Sequence, residues 1–397
     1  DWDWTPATRV GVRGALYLGR SLVVSGGLFA AEMEDGRRFA DPLVAGSDLI
    51  LHEEEMTLSA RVGGLRLRMG RDRHRWGPGV SGSLLLSDAG EPFSFAEYQV
   101  RLGSQLRFLA LTGSTSPHQK RYLSAHRLCW TPTPGFSLSL SEGARYQANS
   151  PHLLYAVGFV PYTLVERLDF QDTLGDSTRE EQRNNVLWAI DAVWRPRSEL
   201  MIYAELLADD IAMTSSKMPT RGGLQGGLTF APSWRSWDWT LAAEYTRVSN
   251  YTYSVYYQDQ CLCDWEHQED SIGYEFGPDV ETLFLRCNVD PVEMWGGRLW
   301  LRHVRKGEGQ IGQPWKPVGT INCSDGDPDC GDVDAWKLSG TVERTTVIGL
   351  ELQWRPGPFT RVSTWFEAVH IRRPSHNPSS DSYLGSRLGC TLNLGIQ

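Results

Sequence analysis

Leu200-Met201-Ile202-Tyr203-Ala204-Glu205-Leu206-Leu207-Ala208-Asp209 alternates with a period of two. Leu200, Ile202, Ala204, Leu206 and Ala208 share one face, while Tyr203, Glu205 and Asp209 share the other. Successive side chains of a strand point to opposite faces, so the stretch reads as a strand with one apolar and one polar side. It is long for a soluble strand, which averages about five or six residues, and suits a tilted strand crossing a bilayer, which needs about 9–11. The pattern recurs in Phe136 to Ser141, where Phe136, Leu138 and Leu140 oppose Ser137, Ser139 and Ser141. It recurs in Val347 to Trp354, where Ile348, Leu350, Leu352 and Trp354 oppose Val347, Gly349, Glu351 and Gln353. Leu388 to Ile396 repeats it a further time.

The connections between such runs alternate in length. Trp130-Thr131-Pro132, Trp194-Arg195-Pro196, Phe230-Ala231-Pro232 and Trp354-Arg355-Pro356 each precede a new alternating run within a few residues. Proline cannot donate to a ladder, so each is read as a strand end, with an aromatic residue at a membrane interface. The other connections are long and polar: 148–184, 209–220, 249–280, 305–337 and 373–382. Short periplasmic turns and long extracellular loops are the asymmetry of an outer-membrane barrel. Counting backwards from the last strand puts every short turn on one side, provided Ile272 to Phe276 belongs to a loop and not to the wall. About 17 strands are counted, and the even-number preference of bacterial barrels makes that about 18, with 16 as the alternative. The chain is therefore expected to be all-β, a single transmembrane antiparallel β-barrel over 1–397. A propeller is the soluble rival, and no repeat of about 40–50 residues supports it.

Composition agrees. Among 397 residues there are 16 Trp, 14 Tyr, 13 Phe and 40 Gly, and no run of about 20 apolar residues. A net charge of -9 argues against nucleic acid as a partner. Seven Cys exclude complete internal pairing, and their spacing is not that of a zinc site. Cys323 and Cys330 flank an acidic loop and could close a small disulfide ring in an oxidising compartment.

One segment breaks the alternation: Arg71-Asp72-Arg73-His74-Arg75-Trp76-Gly77-Pro78-Gly79, followed by Leu84-Leu85-Leu86-Ser87-Asp88 and Pro92-Phe93. Its cations are costly against lipid, so residues 71–96 are placed inside the barrel as a plug. The segment resembles the Wzi family of outer-membrane capsule assembly proteins. The resemblance continues through His126-Arg127-Leu128, Ser141-Glu142, Asn184-Asn185-Val186-Leu187, Tyr203-Ala204-Glu205 with Asp209-Asp210, and Gly277-Pro278-Asp279. It covers most of 56–305 and implies an 18-stranded, plugged barrel in the bacterial outer membrane. It further implies a lectin-like protein, not an enzyme, that binds capsular polysaccharide. The chain departs from the usual barrel ending, closing on Leu394-Gly395-Ile396-Gln397 without a terminal aromatic.

Three groups of residues are candidates for a site. Arg71, Arg73, His74, Arg75 and Trp76 either hold an acidic sugar or form a structural network with Glu142, Glu205, Asp209 and Asp210, since the planar fork of arginine suits carboxylates. Tyr251, Tyr253, Tyr256, Tyr257 and Trp265 either stack on sugar rings or pack their loop on itself. Asp325, Asp327, Asp329 and Asp332 alternate in a tight loop, either as oxygen ligands for Ca2+ or as a solvated acidic stretch; Trp336 stands where an EF-hand would place Glu. No other cofactor is expected. G-x-S-x-G, H-E-x-x-H and phosphate-loop patterns are absent, so no enzyme is expected. A lectin-like barrel that helps assemble or attach surface polysaccharide is the leading reading. A porin-like channel, an outer-membrane hydrolase and a subunit of an envelope complex with protein partners are the rivals.

Overall fold

The computed structural model describes residues 9–19, 21–32, 49–116, 119–166, 184–211, 220–234, 237–255, 263–291, 294–313, 334–357, 360–380 and 382–394. The strands are β1 (Arg9–Leu18), β2 (Leu22–Glu32), β3 (Leu49–Val62), β4 (Leu65–Asp72), β5 (Phe93–Leu102), β6 (Leu106–Ser116), β7 (Arg121–Thr133) and β8 (Phe136–Gln147). A short helix α1 (Leu153–Val157) precedes β9 (Asn184–Arg197), β10 (Leu200–Asp210), β11 (Arg221–Phe230), the two-residue β12 (Ser233–Trp234) and β13 (Trp237–Val248). A small hairpin of β14 (Glu266–His267) and β15 (Asp270–Ser271) is followed by β16 (Val280–Pro291), β17 (Trp295–Lys306), β18 (Glu343–Gly357), β19 (Thr360–Arg372) and β20 (Tyr383–Leu394). No helix among the described residues is long and apolar enough to cross a membrane.

Each long strand pairs antiparallel with the next long strand in sequence. Counting β12, the sheet has 18 strands. Seventeen are long, so β1 and β20 run in the same direction, and no ladder joins them among the described residues. The long connections all leave one rim, as the length alternation predicts, and the short turns leave the other, except for the four-residue turn between β6 and β7, which shares the long-loop rim. Ile272 and Tyr274 lie in a long connection, buried, and not in the wall.

The two faces of the sheet are chemically opposite. Leu206, Leu285, Leu299, Ile348, Leu350, Leu352, Phe366 and Leu388 stand on the outer face with 41% or more of their surface exposed. An exposed apolar band of this extent is a lipid-facing surface. On the other face Glu205, Gln225, Glu244, Thr246 and Thr282 are buried, together with Leu111, Leu123, Leu187 and Val248. Trp295 and Trp354 stack at 6.0 Å in the row nearest the short turns.

The proline reading needs correction. Trp130-Thr131-Pro132, Trp194-Arg195-Pro196 and Trp354-Arg355-Pro356 do not end their strands. Each is a bulge: register shifts separate Trp130 from Thr133, Trp194 from Arg197, and Trp354 from Gly357. Proline is tolerated there because the bulged residue has no ladder bond to make. The residue before each proline donates its N–H to the preceding connection: Thr131 to Gln105 O at 2.8 Å, Arg195 to Gly135 O at 2.6 Å, and Arg355 to Met294 O at 2.7 Å. Ala231, before Pro232, does the same to Glu199 O at 2.7 Å. The repeated tripeptide staples adjacent hairpins at the short-turn rim.

Candidate functional site: an interior segment clamped by wall carboxylates

Residues 73–92 leave β4 at the long-loop rim, fold across the concave face of the sheet and return to β5. The backbone of Trp76 bridges to Leu86, with the N–H of Trp76 donating to Leu86 O at 2.9 Å. Glu244 of β13 receives the N–H of Val80 at 2.5 Å, the N–H of Ser81 at 3.0 Å, the Ser81 hydroxyl, and the Tyr203 hydroxyl at 2.6 Å. Glu205 of β10 receives the N–H of Leu84 at 3.0 Å, with the Ser83 hydroxyl 3.2 and 3.3 Å from its two oxygens. Backbone N–H groups aimed at carboxylates are strong, charge-assisted bonds. The Gly-Pro-Gly turn is what lets the chain come so close. A Cβ on Gly77 would strike Glu205 and Ser83, and one on Gly79 would strike Gln225.

Leu84, Leu85 and Leu86 are almost completely buried, and each of their carbonyls has a donor. Tyr253 Oη donates to Leu84 O at 2.6 Å, Trp265 Nε1 to Leu85 O at 2.8 Å, and the Trp76 N–H to Leu86 O. The N–H of Ser87 donates to Ile272 O at 2.8 Å. The connection after β13 is thus a second layer packed on the first. Its own anchor is Asp209, which accepts the N–H of Tyr253 at 2.7 Å and lies 3.7 Å from Arg221. Asp279 anchors a third layer, accepting the N–H of Gly309 at 2.9 Å and of Ser339 at 3.2 Å.

The cations expected to act as one cluster are dispersed. Arg73 Nη1 pairs with Glu55 at 2.8 Å, while its Nε donates to Gly90 O at 2.8 Å. Arg75 lies 3.7 Å from Asp88 and donates to Gly82 O at 3.4 Å. Arg71 stays in β4, in register with Met56 and Ser94. His74 sits edge-on to Phe95 at 4.2 Å and 3.7 Å from Glu97. Burial, with Arg68 nearby, lowers its pKa to about 3, so it brings no charge at neutral pH. His267 is likewise lowered to about 4, mainly by burial. Trp76 is buried in the same core.

Glu142 is not part of this interior network, which corrects the expectation. Ser139, Ser141 and Gly143 face inward, so Glu142 shares the outer row with Leu140. It is nevertheless fully buried, because residues 150–166 fold back over the outside of the wall. Glu142 accepts the N–H of Tyr162 at 2.7 Å and of Thr163 at 2.9 Å, and lies 3.2 Å from His126 Nε2. Phe159 stacks on Phe108 at 4.8 Å, and Tyr155 on Tyr146 at 4.6 Å.

The loop aromatics also differ from a sugar-stacking surface. Tyr253 and Trp265 are fully buried and hold the leucine carbonyls. Tyr251 is half-buried and its carbonyl receives Arg221 Nη1 at 3.3 Å. Tyr256 and Tyr257 lie outside the described residues, as do the side chain of Asp210, the Ca2+ candidates Asp325, Asp327, Asp329 and Asp332, and the Cys323–Cys330 pair. Among the described residues no group of three or more side chains could hold a metal ion. Cys129, Cys287 and Cys390 are free, whereas Cys263 is disulfide-bonded. Glu55 and Glu97 are missed in the sequence, while Glu244 is legible only as an inward acid of the wall and Asp279 only as part of Gly277-Pro278-Asp279. Glu244 carried a signal, being an acid at an inward position of an alternating strand.

No curated protein matches the sequence. Among solved structures, the chain resembles Wzi of Escherichia coli, a carbohydrate-binding β-barrel of the outer membrane involved in group 1 capsule assembly. Identity is 14%, coverage 96% of this chain and 77% of that one, and the TM-score 0.63. Pseudomonas aeruginosa OccK5 (OpdH) aligns at 10% identity over 98% of this chain and 92% of its own, with a TM-score of 0.48. Pseudomonas aeruginosa OccK10 (OpdN) aligns at 13% identity over 98% and 93%, with a TM-score of 0.45. The long antiparallel sheet with its lipid-facing band is that of an outer-membrane protein, and the bacterial outer membrane is where the chain resides. Residues 51–290, more than half of the chain, match the family described as capsule assembly protein Wzi, and the chain belongs to that family.

Proposed function

We propose that the protein is a lectin-like outer-membrane barrel that binds surface polysaccharide during capsule or exopolysaccharide assembly, and that it is not an enzyme. Family membership supports the reading. The observation that carries it is the stacked filling of the interior. Residues 73–92 are held by Glu205 and Glu244, and the connection after β13 closes over them through Tyr253 and Trp265. A barrel filled in this way offers a surface at its long-loop rim more readily than a path through its centre. Arg73 and Arg75 keep part of their surface open beside Glu55 and Asp88, and their charge suits an acidic sugar.

A specific feature favours the channel alternative. A groove of about 400 Å³ lies beside the filling, lined by Arg13, Ser25, Glu55, Thr57 and Asp72. Single-channel conductance in a planar bilayer, paired with binding of purified acidic capsular polysaccharide, separates the two. Low conductance with saturable glycan binding is expected. Steady large conductance without glycan binding would overturn the lectin reading and promote the channel.

A further inference from the structure

A row of arginines crosses the outer face of the wall at the long-loop rim. Arg305 of β17 lies directly opposite Arg344 of β18, and Arg344 directly opposite Arg372 of β19. Their parity is that of the lipid-facing side chains below them: Leu299 on β17, Ile348 and Leu350 on β18, and Phe366 on β19. Alternate positions of the same strands face inward: Val304 lies next to Arg305, Val347 three residues below Arg344 and Val369 three below Arg372, and all three are buried. The arginines therefore point away from the interior. Arg305 is bound by Glu281 at 2.5 Å. Arg344 and Arg372 are exposed, and neither has a hydrogen bond or an ion pair among the described residues.

Like charges directly opposite one another destabilise a sheet. Three arginines in consecutive cross-strand register, only one of them neutralised, form an arrangement that an anion would relieve. Its height identifies the anion. Ten residues of β17 separate Trp295, in the stacked aromatic row, from Arg305. At about 3.3 Å per residue and a tilt of about 40°, that is about 25 Å, the height of the apolar band of such barrels. The row thus lies at the level of the outer-leaflet headgroups. One step below it are His303, Thr346 and His370 on the same face, and beneath those the apolar side chains that contact acyl chains.

We propose that Arg305, Arg344 and Arg372 form a site for the phosphate of an anionic lipid headgroup in the outer leaflet, with its acyl chains lying on Ile348, Leu350 and Phe366. The guanidinium fork matches phosphate oxygens. The site faces outward from the wall, away from the loop surface and the interior where polysaccharide would be met, and it rests only on the outer-membrane setting.

The test uses the whole chain folded in zwitterionic micelles and titrated with diphosphoryl lipid A, with retained lipid read by native mass spectrometry. The wild type is expected to retain one lipid at a concentration at least about tenfold below that needed by R344Q/R372Q. Dephosphorylated lipid A should bind the wild type as weakly as the diphosphoryl form binds the variant, and millimolar inorganic phosphate should not displace the lipid. A heat-modifiable gel shift confirms folding, and R344Q alone is read if the double variant does not fold. Equal retention by wild type and variant overturns the proposal, as does equal retention of phosphorylated and dephosphorylated lipid. Displacement by inorganic phosphate would show a general anion site, and loss of acidic polysaccharide binding with unchanged lipid retention would show a glycan site; either overturns it.

Discussion

Two segments leave the wall and fold back onto it, one inside and one outside. Residues 73–92 cover the inner face, and residues 150–166 cover the outer face across β6, β7 and β8. Their anchoring chemistry is the same: wall glutamates accept backbone N–H groups, two successive ones at Glu244 inside and at Glu142 outside, and one at Glu205 inside. Their other surfaces differ. Leu84, Leu85 and Leu86 of the inner cover are at most 1% exposed, whereas Leu153, Phe159 and Leu164 of the outer cover are 73%, 63% and 49% exposed. The inner cover turns its apolar side chains into a protein core, and the outer one turns them toward lipid. A buried carboxylate on either face is thus a docking point for a loop, and the solvent beyond the loop determines where its leucines go.

The largest effect is expected from breaking the inner anchor. Glu244→Leu leaves the N–H groups of Val80 and Ser81 and the Tyr203 hydroxyl without their acceptor, at about 1–3 kcal/mol for each buried group left unpaired. A loss of about 3–5 kcal/mol against urea in micelles is expected, with a rise in single-channel conductance as the segment loosens. An unfolding midpoint within error of the wild type would remove Glu244 from the role given to it.

Breaking the outer anchor should cost less. Glu142→Leu frees the N–H groups of Tyr162 and Thr163, but its leucine also suits the lipid-facing row, so about 1–3 kcal/mol is expected. Chymotrypsin should then cut at Tyr155, Phe159 or Tyr162, while conductance stays at the wild-type level. A conductance rise as large as that of Glu244→Leu would show that the two covers are one cooperative unit and not two.

The sequence made the inner cover legible and the outer one not. The run from Arg71 to Arg75 broke the alternation with cations that lipid could not accept, so an interior position followed. Glu142 was equally informative. Its parity is that of Leu138 and Leu140, and a carboxylate in a lipid-facing row requires something to cover it. Grouping it with the other acids by charge, instead of by face, hid the outer segment. Arg305, Arg344 and Arg372 obey the same parity, and their alignment became visible only once the cross-strand register was known. That Tyr253 and Trp265 pack was one of two readings the sequence allowed, but their partners were not legible, since these depend on which distant carbonyls a loop meets. The strand pattern, by contrast, is local and needs only a period of two.

Acid should loosen the inner cover selectively. His74 lies within it and His267 packs on it, with pKa values held near 3 and 4 by burial, below the ordinary 6.5. Between those values and 6.5 each histidine binds more protons in the unfolded chain than in the folded one, so its contribution to stability rises with pH across that window and is lost as pH falls. Each histidine's contribution to the slope should approach one proton, which is under about 1 kcal/mol between pH 7 and pH 6. Urea midpoints at a series of pH values measure it, and His74→Phe should remove about one proton from the slope. An unchanged slope in that variant would mean that His74 takes up its proton in the folded state.

The smallest effect is expected below both covers, at the bulges of the short-turn rim. Pro196 occupies the bulged stretch between Trp194 and Arg197, while the stapling bond comes from the N–H of Arg195 to Gly135 O. Pro196→Ala restores an N–H where the ladder leaves a residue unpaired, and adds some freedom to the unfolded chain. The two changes are small, and the urea midpoint should shift by no more than the equivalent of about 0.5 kcal/mol. A larger loss would mean that the proline itself sets the bulge. In that case the tripeptide would act on both sides of the wall through backbone rigidity, and the staple from the residue before it would be secondary.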